Sequence, residues 1–159
     1  MKKIFLALGG IALAVSLSAM FAPASGSNQG GGGRLEGTWD VQVTIRNCQT
    51  GAAIRTFASL TTFMFGGTSI DTTSGTPQAQ RTPAHGVWSH TGGNTYRFSF
   101  KTFSFDAGGN FVGWTKITHD ATLESDGNQF TSVGTAENYD KNGTLLFTGC
   151  SSTTATRYQ

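Results

Sequence analysis

From residue 37 onward the chain alternates apolar and polar side chains with a period of two. Trp39, Val41, Val43 and Ile45 interleave with Asp40, Gln42, Thr44 and Arg46, the pattern of a strand with one buried face. Similar runs rich in Thr, Val, Phe and Tyr recur at 54–65, 68–72, 85–90, 95–106, 111–124, 129–140 and 144–156. Gly92-Gly93, Gly108-Gly109, Asp126-Gly127 and Asn142-Gly143 separate the later runs, and each is a two-residue hairpin signal. No stretch has a strong helical period. The reading is all-β: an eight-stranded antiparallel up-and-down barrel.

The turns set registers. With Asp126-Gly127 as a turn, Lys116 faces Glu137 and Trp114 faces Tyr139 on one face. Leu123 then faces Phe130, Ala121 faces Ser132, His119 faces Gly134 and Ile117 faces Ala136 on the other, which is read as interior. Carried backward, Phe100 faces Ile117 and Phe98 faces His119. Through Gly92-Gly93, Ser89 faces Tyr96, Val87 faces Phe98 and His85 faces Phe100, leaving Trp88 outside beside Arg97. Carried forward, Phe147, Gly149, Ser151, Thr153 and Ala155 point in and Cys150 points out. The first strand turns its apolar set inward, so Cys48 points out as well. A Cys48–Cys150 disulfide then joins the first and last strands, with 42–48 pairing 150–156. For 54–65 neither phase is better than the other.

Gly37-Thr38-Trp39 resembles the G-x-W motif that opens lipocalins and their calycin relatives. In that superfamily the Trp packs at the barrel base under an Arg that follows the last strand, and Arg157 stands in the matching place. The resemblance implies a barrel from Gly37 to Arg157 with Trp39 and Arg157 in contact at its base. The usual lipocalin terminal helix has no counterpart in the sequence. Gly113-Trp114-Thr115 is similar to an avidin strand, but no matching set of biotin-contacting residues accompanies it. Allene-oxide-cyclase-like barrels share the gross architecture and supply an enzyme alternative.

The first 24 residues read as a cleaved signal peptide: basic Met1-Lys2-Lys3, an apolar 4–19 and the A-x-A site Ala22-Pro23-Ala24. Residues 25–36, with Gly30 to Gly33 at their centre, read as a flexible linker, and 37–159 as one barrel domain. The expected address is periplasmic or extracellular, which suits a disulfide. Without Lys2 and Lys3, nine Lys and Arg balance nine Asp and Glu. A near-neutral domain with no basic cluster argues against nucleic acid and anionic membranes as partners, and no membrane insertion is expected.

The interior so assigned has a wall of small residues, Ser132, Gly134, Ala136, Gly149, Ser151, Thr153 and Ala155. Tyr96, Phe98, Phe100, Phe130 and Phe147 face it. Barrels of this size either fill with side chains or hold one small ligand, and both outcomes stay open. The candidate ligand-binding set is His85, Tyr96, Phe98, Phe100, His119, Phe130, Gly134 and Phe147. His85 and His119 are the candidate general bases, with Tyr96, should the barrel be an enzyme; His90 points out near a turn. One intervening strand puts the two inward histidines about 9–10 Å apart, too far to share a zinc. No metal or cofactor is expected, and no inward carboxylate is placed to complete a triad. Outside, Phe103, Phe105, Val112, Trp114 and Tyr139 form an apolar patch suited to homo-oligomer contact, with residues 66–83 as a cover or a lid. The leading reading is a secreted lipocalin-like barrel that binds a small apolar molecule. The alternatives are a structural or oligomeric surface protein using the outer patch, and a cyclase- or isomerase-type enzyme.

Overall fold

The computed structural model describes residues 34–159; the signal-peptide reading and most of the linker lie outside the described residues. Eight antiparallel strands follow one another around a closed barrel: β1 (Gly37–Arg46), β2 (Ala53–Met64), β3 (Thr68–Thr73), β4 (Ala84–Gly92), β5 (Thr95–Phe105), β6 (Phe111–Leu123), β7 (Gln129–Asp140) and β8 (Leu145–Arg157). Closure of β1 on β8 leaves no free sheet edge. A short 3₁₀ turn, Gln78–Gln80, sits in the β3–β4 connection.

The late registers are those expected. Lys116 pairs Glu137, His119 pairs Gly134 and Leu123 pairs Phe130, while Phe98 pairs His119 and Phe100 pairs Ile117. Other readings are corrected. Strand β4 is inverted, because Thr91 is an extra residue between the His90–Tyr96 and Gly92–Thr95 pairs. One inserted residue turns every preceding side chain over. Trp88 is therefore buried and donates its Nε1–H to the Met64 carbonyl at 3.0 Å, not to a surface stack with Arg97. His85 is carried to the outside, where it pairs Lys101. Between β1 and β8, Arg46 rather than Cys48 pairs Cys150. That shift of two residues preserves the faces, and Cys48 in the following turn reaches Cys150 diagonally to close the disulfide, Cα to Cα 5.2 Å. A further correction concerns the end of the linker: Leu35 is fully buried in the core.

Strand β2 resolves its phase in favour of Ser59, Thr61 and Phe63, which are buried, leaving Ile54, Leu60 and Met64 outside. The inward face is polar because β3 turns Asp71 toward it. Asp71 accepts from the Ser59 hydroxyl and, at 3.0 Å, from that of Thr61. Arg81, just before β4, lies 3.3 Å from its other oxygen. An inward carboxylate thus exists, contrary to the sequence reading.

The closed end of the barrel is built by Trp39, Leu35 and Arg157. The Trp39 ring meets Phe130 edge-on at 4.9 Å and donates its indole N–H to the Leu35 carbonyl at 2.9 Å. The Arg157 guanidinium lies 4.3 Å from the Trp39 ring centroid. Its N–H groups reach the carbonyls of Arg34, Glu36 and Gly127. One side chain thereby joins the chain's entry, its exit and the β6–β7 turn. Phe63, Trp88, Tyr96, Phe98, Phe100, Leu123 and Phe130 fill the volume above this floor.

Candidate functional site

Hollow and filled interiors are both realised, at opposite ends. The half near Trp39 is packed, and the other half encloses a cavity of about 370 Å³. That is within the usual size for a small-molecule site. The apolar wall comes from Val41, Val43, Phe98, Phe100, Ile117 and Phe130. The mouth is formed where β1, β3, β5 and β7 end, and the 74–83 connection contributes Gly75, Thr76 and Arg81 to it. Gly75 fits closely there: a Cβ at this position would press on the Phe57 ring, so the loop rests directly on the cavity wall.

His119 is 2% exposed and lines the cavity. Its ring stacks on Phe98 at 5.4 Å. Nδ1 lies 2.7 Å from the Ser132 hydroxyl and Nε2 2.9 Å from that of Ser151; Ser132 continues to Thr153 at 2.6 Å. A neutral imidazole has one donor and one acceptor nitrogen, and the two hydroxyls can complement both. Burial disfavours the imidazolium and lowers the pKa to about 4, against a weaker opposing pull from Asp120. The Asp120 carboxylate itself is engaged outside with Arg97 at 2.8 Å. The arrangement holds a neutral hydrogen-bonding ring, and near neutral pH it makes a poor proton acceptor.

The remaining candidates divide. Phe98, Phe100, Phe130 and His119 come together around the cavity, and Phe147 stands at its mouth, still largely exposed. Tyr96 is buried in the packed half between Trp88 and His90, with ring centroids at 6.0 and 5.1 Å; burial raises its phenol pKa. It is absent from the cavity lining, and His85 is on the outer face, so the trio His85, His119 and Tyr96 does not assemble. Gly134 is covered: a Cβ there would collide with the Thr118 carbonyl and the His119 ring. The glycine makes room for the histidine rather than for a ligand. Among the described residues no three His, Cys, Asp or Glu converge as a metal site.

Sequence reasoning missed Asp71, Arg81 and Arg55. Arg55 lines the mouth with its guanidinium 5.0 Å from the Phe57 ring centroid and an N–H 3.1 Å from the Gly75 carbonyl. The only signal available was Asp71 alternating with Ser69 and Thr73 in a short polar strand, which hydrophobic patterning does not score.

On the outer wall Trp114 stacks on Tyr139 at 5.5 Å, and the Lys101 ammonium lies 4.5 Å from the Trp114 ring centroid. Phe103 meets Phe111 edge-on and stays 45% exposed. The patch is thus partly satisfied within the chain. No protein-family model, no curated protein and no solved structure matches this chain.

Proposed function

We propose that the protein is a secreted or periplasmic, lipocalin-like barrel that binds one small apolar molecule in the open half of its interior. The observation that carries this reading is the cavity: apolar on most of its wall, open at one end and floored by Phe130. Its buried polar groups largely satisfy one another, Asp71 with Ser59 and Thr61, and His119 with Ser132 and Ser151. Burial of apolar surface therefore dominates what a guest gains. The contact between Trp39 and Arg157 supports the lipocalin likeness. The disulfide supports an oxidising compartment, and no helix among the described residues is long and apolar enough to cross a membrane.

The test is stoichiometric binding of an environment-sensitive apolar dye, read against Gly149→Phe. Gly149 lines the cavity, and a Cβ there meets nothing closer than the Ala136 carbonyl at 4.0 Å. The added ring enters the cavity without forcing the backbone. A folded Gly149→Phe protein that no longer takes up dye supports the reading; a wild type that binds none refutes it. A second reading, a homo-oligomer through Phe103, Phe105, Trp114 and Tyr139, draws on the exposure of Phe103 and of its neighbours Phe111 and Val112. Native mass spectrometry separates the two, as an empty dimer in one case and a loaded monomer in the other.

A further inference from the structure

The charged side chains of the cavity are not distributed evenly. Arg55, Arg81 and Asp71 are the formally charged residues of its lining, a net charge of +1 with His119 neutral. Arg55 and Arg81 belong to the mouth end, near the start of β2 and in the connection before β4. Each uses only part of its donor capacity within the chain. A guanidinium has five N–H donors. Arg81 spends one on Asp71, at 3.3 Å, although its side chain is only 12% exposed. Arg55 spends one on the Gly75 carbonyl. Asp71, by contrast, accepts on both oxygens, from Ser59 and Thr61 on one and Arg81 on the other.

Each guanidinium is tethered on one side, Arg81 largely buried and Arg55 exposed at the rim. Arg55 lies against Phe57, which in turn packs on Gly75 of the loop; Arg81 is tied to Asp71, and its backbone bridges to Ser104 of β5. A tethered guanidinium with open donors offers a fork that suits a planar anion. Below them the wall is apolar, with Val41, Val43, Phe100, Ile117 and Phe130.

Resting on the cavity reading above, we propose that the ligand is an anionic amphiphile. Its apolar body lies in the barrel, and a carboxylate, or an anion of like shape, sits at the mouth against Arg55 and Arg81. The outer rim suits an elongated guest. Ile54, Leu146 and Phe147 project at this end with 60% or more of their surface exposed, and they give the body of a ligand apolar surface to cross on entry.

The experiment uses three probes with one tail and different heads: dodecanoate, dodecanol and dodecyltrimethylammonium. Each is titrated calorimetrically below its micelle concentration. Dodecanoate is expected to bind at least about tenfold tighter than dodecanol, the increment of one charge-assisted contact, and the ammonium more weakly than either. Arg55→Gln should remove about tenfold from dodecanoate affinity and leave dodecanol unchanged; circular dichroism confirms the fold. Arg55 is the variant of choice because Arg81→Gln would also strip Asp71 of its partner. Added salt should weaken dodecanoate alone. Equal affinity for dodecanoate and dodecanol, or an Arg55→Gln variant that affects both alike, overturns the anionic assignment while leaving the cavity reading in place. Failure of all three probes to bind overturns the cavity reading itself.

Discussion

Acidification from about pH 7 to about pH 4 is expected to remove about 3 kcal/mol of stability through His119 alone. The sign follows from the site. In the unfolded chain the imidazole takes up a proton near its ordinary value of 6.5, whereas in the barrel it does so only at about 4. Between those values the unfolded state binds the extra proton, so stability is full above about 6.5 and falls as the pH drops toward 4. The gap of roughly two and a half units, at about 1.4 kcal/mol each, sets the magnitude. The assay is urea denaturation at a series of pH values, for the wild type and for His119→Gln. The difference between the two curves isolates this residue from His85 and His90. The carboxylates of Asp106, Asp120 and Asp140 act in a more acidic window. Their pKa values are lowered below 3.8, by bonds from Asn110, Arg97 and Thr144 respectively, so their contributions are lost only as the pH falls further. Wild-type and His119→Gln curves that run parallel from about pH 7 to about pH 4 would refute the reasoning, as would a ring proton resonance of His119 that titrates near 6.5 in the folded protein.

Loss of the disulfide in Cys48→Ser should cost about 4–5 kcal/mol, since it closes a loop of 102 residues; reductant should lower the wild-type urea midpoint to match. Trp39→Ala should cost about 3–5 kcal/mol in the same assay through lost volume beside Phe130. Arg157→Lys keeps the charge but cannot span three carbonyls, and about 1–3 kcal/mol should go with it. Gly134→Ala should cost about 1–3 kcal/mol by overpacking against Thr118 and His119, while Gly149→Ala, with open space before it, should stay within about 0.5 kcal/mol of wild type; a reversed order would show that the inward glycines have been misassigned.

The legible parts of the fold are those that local chemistry over-determines. Around Asp126-Gly127, a charge pair, an aromatic pair and an apolar face all demand the same register, and β6 and β7 adopt it. Gly92-Gly93 carries no such redundancy. Gly92 pairs Thr95, so the turn falls on Gly93-Asn94, one residue later than a two-residue hairpin centred on the glycines. With Thr91 as the extra residue, Trp88 and His85 exchange faces. The β2 phase was hidden for another reason. Ser59 and Thr61 are inward because Asp71 on the next strand needs donors, and a dependence between strands leaves no trace in the alternation of either one. The cavity was half legible: small residues opposite rings implied space, but which end is hollow depends on Leu35 and Trp39 occupying the other.

The seal that Arg157 makes at the base has a consequence for attachment. Arg34 and Tyr158 both leave the barrel at the closed end, Arg34 bonded to the Ser125 carbonyl and Tyr158 to that of Thr38. The opening to the cavity lies at the far end, between the connections that follow β1, β3, β5 and β7. A fusion partner or a solid support joined after Gln159 therefore stands behind the barrel and leaves its opening facing outward. On the proposed reading, protein immobilised through its C-terminus should take up an apolar dye as freely as protein in solution.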